Sequence, residues 1–154
     1  MGGNLIDSEL REFLERGLVC VIGTRSADLR PDWAHGVGVR FTKNRCVVFI
    51  EQSTAARSLT NLRDNGMIAL TICEPATHRT IQLKGRDTKL REMTQAEQRL
   101  AQRLANTARH AVIEVGIAPR VAAGWNYSNL IAAEFELSGV FDATPGPNAG
   151  AEVA

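Results

Sequence analysis

Residues 33–66 read WAHGVGVRFTKNRCVVFIEQSTAARSLTNLRDNG. In the first part Val37, Val39 and Phe41 recur at every second position, which predicts a strand with these three side chains on one face. Lys43 and Asn44 form a polar turn. The run RCVVFIE that follows, 45–51, is dense in β-branched and aromatic residues, so the chain is expected to double back as an antiparallel hairpin. From Ser53 the period changes: Ala55, Leu59 and Leu62 recur at i, i+4 and i+7, Thr54 is placed to cap a helix, and Gly66 is placed to end it.

Outward from this unit the pattern stays mainly β. Asp7 or Ser8 is expected to cap a short helix running to Arg16, with Leu10, Phe13 and Leu14 on one face and Gly17 as its stop. The run LVCVIGT, 18–24, then precedes the polar turn RSADLRPD, which makes a meander of three antiparallel strands. On the far side come MIALTICE (67–74) and RTIQLKGRDTKL (79–90). In the latter, Ile81 and Leu83 alternate with Thr80, Gln82 and Lys84, and Gly85 signals a bulge or bend. Thr94 and Glu97 form a T-x-x-E capping box for a helix continuing through Leu100 and Leu104 to about Arg109. A second helical piece, AVIEVGIAPRVAAGW, is interrupted by Gly116 and Pro119. NLIAAEFELSGVF (129–141) is the last strand, with Ile131, Ala133, Phe135 and Leu137 on one side. One domain over 1–142 and an extended Pro/Gly/Ala-rich tail over 143–154 are expected. Six strands with helices between hairpins indicate an α+β, mainly β protein built on an antiparallel sheet or barrel.

Composition narrows the function. Eighteen basic and seventeen acidic residues give a formal charge of +1, spread along the chain, which argues against nucleic acid and for a small-molecule partner. The apolar runs are far shorter than the roughly 20 residues that span a bilayer, and MGGNLIDSE does not read as a signal peptide, so no membrane partner and a cytoplasmic location are expected. Cys20, Cys46 and Cys73 sit among strand-forming hydrophobes and read as reduced, buried thiols. His35, His78 and His110 lack metal-ligand spacing, and no nucleophile elbow, Walker loop or dinucleotide fingerprint occurs.

The first turn of the helix beginning near Ser53 is the candidate site. Its free N–H groups and the positive end of the helix dipole favour an anion, the hydroxyls of Ser53, Thr54 and Ser58 add donors, and Arg57 adds a planar fork suited to phosphate. The competing reading is a plain capped helix with Arg57 on its solvated face. Arg40, on the neighbouring strand, is expected to converge with Arg57 on one anion. Gly36 and Gly38 mark either a close approach of a ligand or backbone, or an ordinary bulge. Thr80, Gln82 and Lys84 form a polar row that would meet a flat heterocycle or else only water. Trp125 and Tyr127 would stack on a ring, cover a dimer seam or anchor a loop.

Together GVGVRF, RCVVFIEQSTAARSLTNLRDNGMIALTI, HRTIQLKGR and VFDATPGPNAG resemble the pyridoxamine 5'-phosphate oxidase-like family of FMN-binding split barrels, over roughly residues 8–150. The resemblance implies a six-stranded antiparallel split β-barrel with flanking helices, forming a homodimer with FMN in clefts between the subunits. It implies that Arg40, Ser53, Thr54, Arg57 and Ser58 hold the FMN phosphate. Thr80 or, with a two-residue shift, Gln82 would contact the flavin, with Lys84 a lesser candidate and Trp125 reaching the flavin of the other subunit. Genuine pyridoxamine phosphate oxidases carry an Arg-x-His motif near the C-terminus, and here no histidine follows His110. A flavin-dependent oxidoreductase acting on a different small organic substrate is therefore expected, with the helical insert 94–125 shaping its pocket. The alternatives are a non-catalytic flavin carrier or sensor, and a deazaflavin- or haem-binding variant of the same fold.

Overall fold

The computed structural model describes residues 5–43, 45–125 and 127–153. Its elements in chain order are α1 (Ser8–Leu14), β1 (Val19–Arg25), β2 (Pro31–Thr42), β3 (Arg45–Glu51), a single 3-10 turn (Gln52–Thr54), α2 (Ala56–Asn65), β4 (Ile68–Cys73), β5 (Thr80–Arg91), α3 (Gln95–Glu114), α4 (Pro119–Ala122) and β6 (Leu130–Asp142). The strands close into a barrel in the order β1-β2-β3-β6-β5-β4, every neighbour antiparallel. The meander β1-β2-β3 is as the turn signals require.

Alternation fills the barrel. Ile22, Leu70, Ile72, Leu83, Val48, Ala133 and Phe135 point inward and are fully buried. Two helices plug the ends. Helix α1, capped by Asp7 accepting from the Leu10 N–H at 2.8 Å, inserts Leu10, Phe13 and Leu14 into the same core. Helix α2 brings in Ala55, Leu59 and Leu62, each leucine contributing about 2 kcal/mol by its burial. Gly66, at φ 66°, ends α2 with its N–H on the Leu62 carbonyl.

A bulge in β2 changes the expected facing of one residue. The register with β3 shifts between Gly36 and Val39, and Gly38 lies at φ +63°. Val39 and Phe41 therefore point into the barrel, whereas Val37 points out, into a second core with Val47, Phe49 and Ala132 beneath Ala101 and Ala105 of α3. The three do not share a face, because one extra residue reverses the alternation. Leu104 of α3 packs onto Gly38: a Cβ built there would lie 2.8 Å from the Leu104 Cβ. Both readings of that glycine meet here, a bulge and a close approach, and the approaching group is the protein's own helix. At Gly85 the register with β6 also shifts, and the ring of Phe135 takes the space a side chain would need.

Three further differences are local. The cap of α2 is Ala55, after the 3-10 turn, and Thr54 makes only a 3.5 Å contact from its hydroxyl to the Glu51 carbonyl. Helix α3, with its Thr94–Glu97 capping box, runs on to Glu114, and Pro119 opens the separate short α4. The segment after β6 is not extended. It turns back so that Gly150 and Val153 donate to the Asp142 and Val140 carbonyls at 2.7 and 2.8 Å, beside a Phe141–Glu152 bridge. Strand β3 pairs with β6 only up to Glu136, and the returning chain satisfies the edge left open beyond it. Cys20 and Cys46 are buried, with burial pushing the Cys20 thiol up to about 12, while Cys73 faces outward and is half-exposed. Among the described residues no helix is long and apolar enough to cross a membrane.

Candidate functional site

The outward positions of β2, β1, β4, β5 and β6 fall into rows fixed by strand register. Trp33 lies opposite Gly23, Gly23 opposite Ala69, Ala69 opposite Lys84, and Lys84 opposite Gly139. The next row runs His35, Val21, Thr71, Gln82, Phe141. Between the Trp33 and Lys84 strands the first row carries only a hydrogen and a methyl group, so it forms a trough, about 14 Å from wall to wall at ordinary strand spacing. A hollow of about 400 Å³ opens over it, bounded by Gly23, Ala69, Arg25, Met67, Lys84 and Ser138. Trp33 stands 61% exposed at one wall. At the other, the Lys84 ammonium sits 4.7 Å from the centroid of the Phe141 ring, and Gln82 donates to the Thr71 hydroxyl at 3.2 Å.

The rings of the chain's two tryptophans flank His35. Trp33 meets its imidazole edge-on at 5.3 Å, and Trp125 lies 6.0 Å away at a tilt of 30°. Trp125 comes from the loop after α4. The Arg109 guanidinium holds that loop to α3, donating to the Ala122 and Trp125 carbonyls at 3.3 Å each.

The first turn of α2 sits at the Trp33 end of the trough. Ser58, buried in the turn, donates its hydroxyl to Asp32 at 2.5 Å, which places Arg57 and Trp33 as chain neighbours on either side of one hydrogen bond. Arg57 is exposed and in no ion pair among the described residues, and the N–H groups of Ala56, Arg57 and Ser58 have no partner among them either. Ser53 is committed elsewhere: its hydroxyl and N–H both donate to Glu51 at 2.7 and 3.3 Å, and the Asn129 N–H donates to the other Glu51 oxygen at 3.0 Å. Burial works to raise the Glu51 carboxyl, but these hydrogen bonds outweigh it and hold it below the ordinary carboxylate range.

Arg40 is not part of this group. It faces α3, where its Nε and Nη2 donate to one Glu97 oxygen at 3.0 and 2.5 Å. Arg91 grips the same carboxylate with two hydrogen bonds of 2.8 Å and reaches Glu134, which pairs in turn with Arg45. The Arg91 hydrogen bonds, working against burial, hold the Glu97 carboxyl at about 2. Along β3, Val47 opposite Arg40 is five residues from Gln52, about 17 Å short of the turn that leads to α2. Thr80 is likewise distant from the trough. It is buried at the end of β5, its hydroxyl on the His78 carbonyl and its N–H on Thr144.

Of the residues singled out from sequence, the structure thus gathers Thr54 and Arg57 at one end of an open face, Gln82 and Lys84 on that face, and Trp125 at its border. Ser53 and Ser58 lie at the same turn but point their hydroxyls at carboxylates. Sequence reading did not find Gly23, Ala69, Trp33 or Asp32. The i, i+2 spacing of Trp33 and His35 was a signal for a shared strand face, but the small-residue floor exists only across four strands.

No protein-family profile matches the chain, and no curated protein does. Solved structures do. The chain superposes on a Clostridium acetobutylicum protein related to general stress protein 26 of B. subtilis, of the pyridoxinephosphate oxidase family. The TM-score is 0.56 at 12% identity, over 96% of this chain and 97% of that one. An F420 reductase gives 0.55 at 12% identity over 88% and 98%. HutZ, the haem storage protein of Vibrio cholerae, gives 0.53 at 12% over 88% and 93%. The chain has the pyridoxamine 5'-phosphate oxidase-like split-barrel fold.

The residues of this split barrel fit a planar ring carrying a phosphate. Three unpartnered N–H groups, Arg57 and the Thr54 hydroxyl form a donor set suited to the phosphate. The floor of Gly23 and Ala69 leaves a flat space for the ring, with the amide of Gln82 within the neighbouring row.

Proposed function

We propose that the protein binds FMN, with its phosphate at the first turn of α2 and its ring along the trough, and that it is an FMN-dependent oxidoreductase acting on a small organic substrate. The observation that carries this reading is the small-residue floor between Trp33 and Lys84, opening beside a helix start whose N–H groups and Arg57 lack partners. FMN, when bound, supplies the redox chemistry, so the protein's own residues need only hold, orient and shield. Arg57 and the α2 N–H groups bind the phosphate, and Thr54 adds a hydroxyl. Gln82 donates to or accepts from the ring edge, while Trp33 and Trp125 close its side. Ser53 and Ser58 act one step back: by tying down Glu51 and Asp32 they fix the turn that presents the donors. Arg40 fixes α3 through Glu97, and Thr80 anchors the end of β5.

The outer rows also support a homodimer with the flavin between subunits. Val19, Val21, Ala69 and Phe141 are half-exposed on a sheet face that a second copy would cover. The missing Arg-x-His motif speaks against the vitamin B6 reaction. A deazaflavin or haem variant is separated from this reading by the absorption spectrum of the protein as isolated, and a flavin carrier without turnover by whether a reduced nicotinamide rapidly bleaches the bound flavin and reoxidation restores it. Titration with FMN and riboflavin is the direct test. FMN should bind far more tightly, and Arg57→Ala should weaken it by about 1.5–3 kcal/mol, as for a hydrogen bond to a charged group. Equal affinity for the two ligands would remove the phosphate seat.

A further inference from the structure

The trough carries positive charge that nothing around it balances. Arg25, at its α2 end, spends its guanidinium on the Ser26 carbonyl at 3.4 Å and on the Met67 sulfur at 3.1 Å. A thioether is a weak acceptor for a group built to grip a carboxylate. Lys84, at the opposite wall, has only the face of Phe141. Neither cation has a carboxylate partner among the described residues, and neither row of the face contains an acidic side chain. By contrast Arg40, Arg45, Arg86 and Arg91, elsewhere on the same barrel, are all ion-paired. The hollow bounded by Arg25 and Lys84 is otherwise mainly apolar and holds no acidic side chain: Gly23 and Ala69 lie beneath it, Met67 is 44% exposed at its rim, and Thr24 and Ser138 are its uncharged polar residues. A flat apolar floor between two unbalanced cations is complementary to a planar ring bearing an anionic group.

We infer that the substrate is a planar organic acid, its ring parallel to the Gly23–Ala69 floor and its carboxylate held by Arg25 and Lys84. This rests on the flavin reading, in which the acid stacks on the ring that covers the floor, within reach of the two long side chains rising from either end. Arg57 is left to the phosphate, so the two anions have separate counter-charges. A neutral ring of the same shape leaves both cations unbalanced and binds more weakly.

The experiment compares benzoate with benzamide, which differ in charge and not in outline. With FMN-loaded protein, perturbation of the flavin absorbance should give a dissociation constant at least tenfold lower for benzoate. The Arg25→Gln/Lys84→Gln double variant should bring the two constants together, and Lys84→Arg should keep them apart. Equal constants in the unsubstituted protein, or a preference that survives the double variant, overturn the inference while FMN binding itself stands. Trp125→Phe leaves Trp33 as the single tryptophan, so its fluorescence follows the same titration without flavin. If FMN does not bind but Trp33 still separates benzoate from benzamide, the acid site holds and the flavin reading falls. If it separates neither, both fall.

Discussion

Replacing Glu97 by Gln removes one charge from the ladder Arg40–Glu97–Arg91–Glu134–Arg45 and little else. Gln retains the shape of the side chain and can still close the capping box with Thr94. The size of the effect follows from the carboxyl itself, which is 3% exposed and held at about 2, against an ordinary value of 4.5. Holding this carboxyl at about 2 in place of 4.5 corresponds to about 3 kcal/mol of folding stability, in line with about 3–5 kcal/mol for breaking a buried ion pair. Because the folded value is the lower one, this stability is fully present above the unfolded value and is lost as pH falls from about 5 towards about 2. Urea unfolding followed by far-ultraviolet circular dichroism should therefore show Glu97→Gln less stable than the parent by about 3 kcal/mol at pH 7. The gap should close progressively below pH 5, since the parent's own carboxylate then becomes neutral. A difference below about 1 kcal/mol at pH 7, or one that stays constant down to pH 2.5, would refute the claim that the two arginines stabilise the fold through this carboxylate.

Gly38→Ala should cost about 2–4 kcal/mol in the same assay, combining a left-handed backbone with overpacking against Leu104; a neutral result would mean α3 does not seat there. Ser58→Ala should lower stability by about 1–2 kcal/mol through loss of the Asp32 hydrogen bond and, by loosening the turn that presents the donors, reduce the preference for FMN over riboflavin less than Arg57→Ala does, which should leave stability unchanged. Truncation after Ala143 should cost about 1–3 kcal/mol by exposing the β6 edge from Val140 to Asp142, read as a lower urea midpoint; no change would show that the returning chain is ornamental.

Which features were legible in the sequence depends on how far apart the interacting residues lie. The 3.6-residue spacing of Ala55, Leu59 and Leu62, the T-x-x-E box at Thr94 and the alternation around Ile81 and Leu83 are properties of neighbours in the chain. The helices and strands they specify are where local pattern places them. The facing of Val37 was misread because a bulge is one residue long, and the reason for it, Leu104, is sixty-six positions away. Arg40 looked like a phosphate ligand for the same reason: its partner Glu97 is fifty-seven residues on and read only as a helix cap.

Local pattern alone was enough for the succession of strands and helices, the Asp7 cap of α1 and the Gly66 end of α2, since propensity, caps and periodicity act over a turn or a pleat. Which cations remain unbalanced follows from the packed barrel, because an arginine's role is set by whatever carboxylate the fold brings within about 3 Å of it. Closure of the barrel gave Glu97 to Arg40 and Arg91, gave Asp32 to Ser58, left Arg25 and Lys84 around a floor of glycine and alanine, and left Arg57 exposed on the first turn of α2.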